Sequence, residues 1–321
     1  DRARGGAGPD SPAGSPDLLY DGSPYGRGVV LVARDGTRAT LPAGGAVKTV
    51  IAVPDGWVLT RVARDGTDSG QFVDRTGRLL QQSDRIEGMA VNATGTRAAA
   101  HLQDGKIRIW DLTHNADAVK ETRLPAGVRV AGWVGDRVLL RLPGTGSYSR
   151  YDYWDPGLGE YRSEPGDESL RALGGRSDGR TLVALGERDG QPCLVLVDVA
   201  KRFRPVSGPH CGDPVRLAPV APGDLLPLVS PDGRTLLART PSGEAATFAV
   251  DDVIAGTAKA AVLGSLGADP VVRVNWAAGA VFAQTPDRYL HCRTGAGGCV
   301  EYEPATEDGL PPTRLVIRFP V

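Results

Sequence analysis

Apolar residues along this chain come in short runs broken by Gly, Pro, Asp and Ser, and no stretch holds a 3.6-residue hydrophobic period long enough for a substantial helix. The runs repeat. An apolar segment ending in Asp and a turn recurs as LVARDG (Asp35), QFVDRTG (Asp74), IRIWDLT (Asp111), YDYWDPG (Asp155), LVLVDVA (Asp198) and FAVDDV (Asp251), and a seventh copy, RYLHCRTG, carries His291 in the Asp slot. Successive positions lie 39, 37, 44, 43, 53 and 40 residues apart, the length of one four-stranded antiparallel unit. Asp suits the slot because its short carboxylate caps turn amides.

A second series runs in phase: Gly56 in AVPDGW, Gly95 in NATGTR, Gly135 in WVGDR, Gly179 in RSDGRT, Gly233 in SPDGRT and Gly279 in AAGAV. Each sits between two β-rich runs and predicts a tight inner hairpin. Turns at 64–66, 103–105, 188–190 and 241–243 lie between the two series and complete four strands per unit. Seven outer hairpins against six inner turns leave one inner turn missing. The first outer hairpin has only DLLYDG before it, and the chain ends in an unpaired strand, TRLVIRFPV. The expected fold is therefore all-β: a seven-bladed β-propeller of four-stranded antiparallel blades, closed by N- and C-terminal strands in one blade. Residues 1–16, rich in Gly, Pro, Ser and charge, read as a flexible tether, and 17–321 as a single β-propeller domain.

SPDGRTLLA at 230–238 resembles the inner-turn motif of the WD-repeat and TolB-like β-propellers, and IRIWDLT at 107–113 resembles their strand-end Trp-Asp. Trp-Asp recurs only at Trp154-Asp155 and Gly-His is absent, so the degenerate bacterial TolB-like branch fits better. The resemblance covers nearly the whole chain after residue 17. It implies a rigid fold that hosts many unrelated activities. Comparable bacterial domains occur as lipoproteins, in envelope assemblies and as ectodomains of membrane sensors. The expected function is an extracytoplasmic binding or scaffold domain recognising a protein or small-molecule ligand; the alternative is a propeller enzyme, lactonase- or quinoprotein-like, acting at the central channel.

Charge narrows the partners. A net charge of −1 and the lack of any long basic run argue against nucleic acid. No apolar stretch approaches the length of a bilayer span, so no transmembrane segment is expected within the chain. The expected location is extracellular or on the cell surface, with an anchor upstream of the tether.

Cys193, Cys211, Cys292 and Cys299 each bracket an outer hairpin in pairs. Folding around Lys201-Arg202-Phe203 sets Cys193 almost opposite Cys211, and folding around Gly295-Ala296 sets Cys292 opposite Cys299, the geometry of cross-strand disulfides in an oxidising compartment. Four buried thiols or a metal site are the alternatives. His210-Cys211 and His291-Cys292 do not chelate easily, because neighbours on a strand point to opposite faces.

Local matches to catalytic motifs have structural explanations. GRSDG at 175–179 matches a nucleophile elbow, but it coincides with an inner turn, which leaves Ser177 a turn residue. Asn92-Ala93-Thr94 fits a glycosylation sequon and also occupies an inner turn. His101, His114, His210 and His291 are scattered, and Asp251-Asp252 and Glu301 with Glu303 lack the spacing of a Ca²⁺ loop. No cofactor or metal is expected. The compositional anomaly is aromatic: Tyr148, Tyr151, Tyr153, Trp154 and Tyr161 crowd one repeat, and Tyr148, Tyr151 and Tyr153 are the candidate partner surface. The insertion from Asp251, DDVIAGTAKAAVLGSLG, predicts a short helix or a longer loop.

Overall fold

The computed structural model describes residues 17–20, 30–32, 38–40, 46–63, 65–113, 120–144, 148–212, 216–217, 228–264, 273–277, 280–285, 289–294, 299–301 and 315–318. They are almost wholly antiparallel β-structure in two compact units, Asp1–Leu124 with Glu303–Val321, and Pro125–Tyr302. The tether, Asp35, His114, Gly279, Gly295-Ala296 and Glu303 lie outside the described residues.

The first unit opens with β1 (Asp17–Tyr20), β2 (Val30–Val32) and β3 (Arg38–Thr40). The terminal strand, Leu315–Arg318, pairs antiparallel with β1 and completes a four-stranded sheet, with Leu18 opposite Ile317 and Leu19 opposite Val316. A seven-stranded sheet follows: β4 (Ala46–Val53), β5 (Gly56–Val62), β6 (Asp68–Asp74), β7 (Leu79–Val91), β8 (Arg97–Leu102), β9 (Lys106–Asp111) and β10 (Lys120–Arg123), in chain order.

That sheet is two four-strand units sharing β7. Residues 79–86 of β7 pair with β6, while 86–91 pair with β8. The change of partner is marked by Arg85 at φ +55 and by a register shift between Ile86 and Gly88. A left-handed residue beside a bulge turns a strand sharply. The two halves consequently share a core of Val53, Val58 and Phe72 with Ile86, Ala98, Ala100, Trp110 and Leu112. Ala98, Ala99 and Ala100 are fully buried, because β8 has packed neighbours on both faces and therefore reads as a continuous apolar run rather than an alternating one.

The second unit contains β11 (Arg129–Val134), β12 (Arg137–Arg141) and β13 (Tyr151–Trp154), then β14 (Arg171–Gly175), β15 (Thr181–Arg188), β16 (Gln191–Asp198) and β17 (Arg204–Cys211). Next come β18 (Arg216–Leu217), β19 (Thr235–Arg239), β20 (Ala245–Ala249) and β21 (Ala261–Val262), with α1 (Val250–Ile254) between the last two. The unit ends with β22 (Arg273–Ala277), β23 (Ala280–Gln284), β24 (Tyr289–Arg293) and β25 (Cys299–Glu301). Strand alternation divides β15 and β16 between two cores. Leu182, Ala184, Val195 and Val197 face the β11–β13 side with Tyr151 and Phe203. Val183, Leu185, Leu194 and Leu196 face a larger core with Phe248, Val253, Trp276 and Leu290. A sheet buried on both faces explains the unbroken apolar string LVLV in β16.

The inner turns form as the glycine series predicts. In the loops at 92–96, 176–180 and 230–234 the glycine N–H donates to the first residue's carbonyl, and Gly95, Gly179 and Gly233 have φ near +70. Gly135 has φ +59, and a Cβ there would stand 2.6 Å from the Gly179 Cα. Two inner turns of the same unit thus touch backbone to backbone, which no side chain permits.

The Asp slot divides. Asp74 Oδ1 accepts from the Thr76 and Arg78 amides and the Thr76 hydroxyl, Asp111 Oδ1 from Thr113, and Asp155 Oδ1 from the Gly157 amide. Asp198 and Asp251 correct the expectation. Asp198 makes no cap and receives Arg180 Nη2 at 2.6 Å instead. Asp251 lies in the first turn of α1 and accepts both Nη atoms of Arg176, at 2.8 and 3.0 Å. The insertion begins with a short helix, seated by the buried Val250 and Val253, and returns to the sheet at β21.

Candidate functional site

The second unit carries a cleft of about 620 Å³ lined by Tyr148, Glu168, Ser169, Gly186, Glu187, Arg188, Cys193, Val195, Pro205 and Pro209. Its origin is a mismatch of strand lengths. β14 pairs with β15 only as far as Arg171 opposite Leu185, whereas β15 runs on through Gly186, Glu187 and Arg188, paired on its other side with Cys193, Pro192 and Gln191 of β16. Three residues of β15 therefore lack β14 as a neighbour. Gly186 deepens the hollow: a Cβ there would reach Leu170 and Val195 only at ordinary contact distance, 3.7 and 3.9 Å.

Tyr148 is brought to this gap by its neighbour. Ser149 and Leu170 exchange two backbone hydrogen bonds of 2.8 Å, and the buried Ser149 Oγ accepts from Arg141 Nε at 2.7 Å. This bridge fastens the segment entering β13 to the segment entering β14, so Tyr148 stands with Glu168 and Ser169. The opposite wall is β17, the outermost strand of its sheet, where Pro205 and Pro209 supply apolar surface without ladder donors. Cys193 and Cys211 face each other in register and form a disulfide that ties this wall to β16. Cys292 and Cys299 form the second. Both pairings match the sequence reading.

Burial pushes the Tyr148 phenol above its ordinary pKa, the Glu187 charge adds to that rise, and Arg171 opposes it. Among the described residues no ion pair engages Glu168, Glu187 or Arg188, and all three are exposed.

The three candidate tyrosines fall in different places. Tyr148 is half-buried in the cleft. Tyr151 is 4% exposed in the core, its ring 6.3 Å from Phe203 and its hydroxyl accepting from the Ala172 amide. Tyr153 is half-buried under the Arg137 guanidinium at 5.8 Å.

Sequence reasoning missed a buried carboxylate between them. Asp152 is fully buried and accepts from the Tyr161 hydroxyl at 2.6 Å, Ser163 Oγ at 3.2 Å, and the Glu164 and Tyr153 amides. The Tyr161 phenol is pushed far above its usual range, first by burial and then by the Asp152 hydrogen bond. The network folds the loop after β13 back onto the strand. Four donors converging on one buried carboxylate make a structural post. A crowd of tyrosines around a YDYWD string was its only sequence signal.

The remaining candidates take structural roles. Ser177 lies in a strand-turn-strand loop, its amide donating to the Asp232 carbonyl. The Asn92 side chain is buried and bonded to Thr96 and Arg97 within its own turn. His101 stands 3.5 Å from Glu87 in the first unit, and His210 lies on β17. Among the described residues no group of three or more metal-ligating side chains forms, and no helix is long and apolar enough to cross a membrane.

No protein-family profile matches the chain, and no curated protein matches it. Solved structures do. The β-propeller domain of the trilobed protease from Pyrococcus furiosus, described as having an open velcro topology, is 12% identical, with 89% of this chain and 88% of that one covered and a TM-score of 0.54. The Pyrococcus horikoshii acylaminoacyl peptidase is 12% identical over 85% of this chain, with a TM-score of 0.52, and this chain spans only 47% of that protein. At such identities the likeness shows the fold, a β-propeller, and leaves activity open.

Proposed function

We propose that the chain is a seven-bladed β-propeller serving as a binding module outside the cytosol, at the bacterial cell envelope, and that it takes its ligand in the Tyr148 cleft. The cleft carries the reading. It joins an aromatic side chain, an apolar wall and charged groups without an ion-pair partner among the described residues, in a volume typical of small-ligand or side-chain recognition. Tyr148 contacts the ligand in this reading, while Tyr151 and Tyr153 take part by fixing β13.

The blade count rests on sheet arithmetic. Among the described residues there are six sheets, and the seven-stranded one divides at β7 into two units that share that strand. The terminal strand lying on β1 supports closure by the chain ends, in contrast to the open velcro topology of the trilobed protease domain. Two disulfides support an oxidising environment. The TolB-like resemblance supports an envelope role.

The test is a thermal-shift screen of small molecules and peptides with a cleft-filling variant, Gly186→Val, as the control. Gly186 has ordinary space for a Cβ, so the variant should fold and lose the response to compounds that stabilise the parent. If it kept that response in full, the working surface would lie elsewhere. Intact mass under non-reducing conditions should equal that of two disulfides; four free thiols would end the extracytoplasmic reading.

A further inference from the structure

We infer that the turn joining β15 to β16 is a self-modification site, where the Gly190 amide nitrogen closes on the Asp189 side chain to a succinimide that reopens as isoaspartate. The reaction needs an Asp-Gly pair whose carboxyl and following amide are both free to meet. Nine such pairs occur in the chain, and those beginning at Asp55, Asp65, Asp104, Asp178, Asp189 and Asp232 lie among the described residues. Four of these six have both reacting groups engaged. The carboxylates of Asp65, Asp104, Asp178 and Asp232 accept from the Thr67, Lys106, Arg180 and Arg234 amides at 2.9–3.0 Å. Their glycine amides donate to the Ala63, Leu102, Arg176 and Ser230 carbonyls. The Asp55 carboxylate receives no hydrogen bond among the described residues, but Gly56 is buried in β5 between Val53 and Asp74. A Cβ at Gly56 would stand 2.0 Å from the Val73 carbonyl oxygen, so that backbone has no room for a ring. Asp189-Gly190 alone of the six is open at both groups: no hydrogen bond or ion pair engages either, both residues are exposed, and nothing lies within 4 Å of a Cβ built on Gly190.

The fold itself installs the reactive pair. β15 and β16 pair as far as Arg188 opposite Gln191, which leaves a two-residue turn with φ +52 at Asp189 and +75 at Gly190. Asp-Gly is one of the few pairs that accepts two successive left-handed residues. The chemistry balances with water as its only co-reactant. The Gly190 nitrogen bonds to Asp189 Cγ, and the carboxyl hydroxyl leaves with the amide proton as water. A second water then cleaves one of the two imide C–N bonds. Cleavage at Cγ regenerates aspartate. Cleavage at the main-chain carbonyl routes the backbone through Cγ, adds a methylene to the chain and leaves the former carbonyl carbon as the free carboxylate. Hairpin register depends on turn length, so the extra backbone atom disturbs the pairing of Arg188 with Gln191. Arg188 lines the cleft, and modified molecules therefore carry an altered rim there.

The experiment is incubation of the folded protein in water enriched in heavy oxygen, then proteolysis and mass spectrometry with fragmentation that separates aspartate from isoaspartate. Every passage through the imide incorporates one heavy oxygen, whichever bond reopens. Label and isoaspartate should accumulate at residue 189 at least about tenfold faster than at 65, 104, 178 or 232, because releasing one hydrogen bond to a carboxylate costs about that factor. In urea the four held sites should rise to the rate of residue 189. Asp189→Glu, which cannot close the same five-membered ring, should abolish labelling at the turn, and an unchanged melting temperature would show that it folds. Labelling at equal rates across the six pairs of the folded protein would overturn the inference. So would a folded chain silent at 189 while the denatured chain labels there. The readout needs no ligand, so either result leaves the cleft reading to its own test.

Discussion

At the scale of single residues, buried carboxylates in the second unit are held by specific donors. The buried Asp198 carboxylate is held well below its ordinary range, chiefly by the hydrogen bond from Arg180 and against the cost of its burial. A lowered folded pKa contributes stability that is fully present above the unfolded value of about 3.9 and is lost as pH falls through the lower folded one. Arg180→Met should therefore leave Asp198 buried without its partner, lower stability at neutral pH and raise the midpoint of acid unfolding. Fluorescence-monitored acid titration of the two proteins checks this, and coincident midpoints would deny the pair its role. The Asp152 post is a second case. Tyr161→Phe removes one donor from a satisfied buried carboxylate and should cost about 1–2 kcal/mol in urea unfolding. Asp152→Ala, which orphans four donors at once, should cost more, about 2–4 kcal/mol.

At the scale of elements, the controlling fact is how closely the inner turns approach. Gly135 and Gly190 both sit at positive φ, +59 and +75, but Gly190 has open space around its missing Cβ, while Gly135 would drive one into the Gly179 backbone. Gly190→Ala should cost the left-handed strain alone, about 1 kcal/mol. Gly135→Ala adds a backbone clash and should cost about 2–4 kcal/mol. Equal losses in chemical denaturation would show that the turns do not bear on one another. The sequence made these turns legible because a positive φ and a short loop leave a fixed signature, as in RSDGRT and SPDGRT. The cysteine pairs were legible for a similar reason, since hairpin register is counted along the chain. The cleft was not. Tyr148, Glu168, Gly186 and Pro205 meet only because β15 overruns β14 and because Ser149 bridges to Leu170, and neither fact is written locally. Asp251 was misread on the same account: its partner, Arg176, lies 75 residues away, and a periodic Asp slot says nothing of a guanidinium arriving from another turn.

At the scale of the whole molecule, the sequence places the chain ends together and the structure pairs the terminal strand with β1. Among the described residues that contact is the longest-range one, and it sets which strand forms one edge of the first sheet, where Leu315–Arg318 is outermost and β1 lies inside it. Without Leu315–Arg318, β1 would present unpaired amides and carbonyls along a short strand whose sequence is DLLY. Such an edge recruits strands from other molecules, and a sheet reduced from four strands to three loses buried area with no compensating gain. Deleting residues 315–321 should therefore raise amide exchange at 17–20 and 30–32 first, lower the melting temperature and produce concentration-dependent association in sedimentation. The seven-stranded sheet supplies an internal reference, because β7 binds its two halves through continuous backbone and neither half depends on the deleted strand for a partner. Exchange should stay slow at Trp57, Phe72 and Trp110 in a variant that has opened only at its ends. Loss of protection at all these positions together would instead mean that pairing of the chain ends stabilises every sheet of its unit.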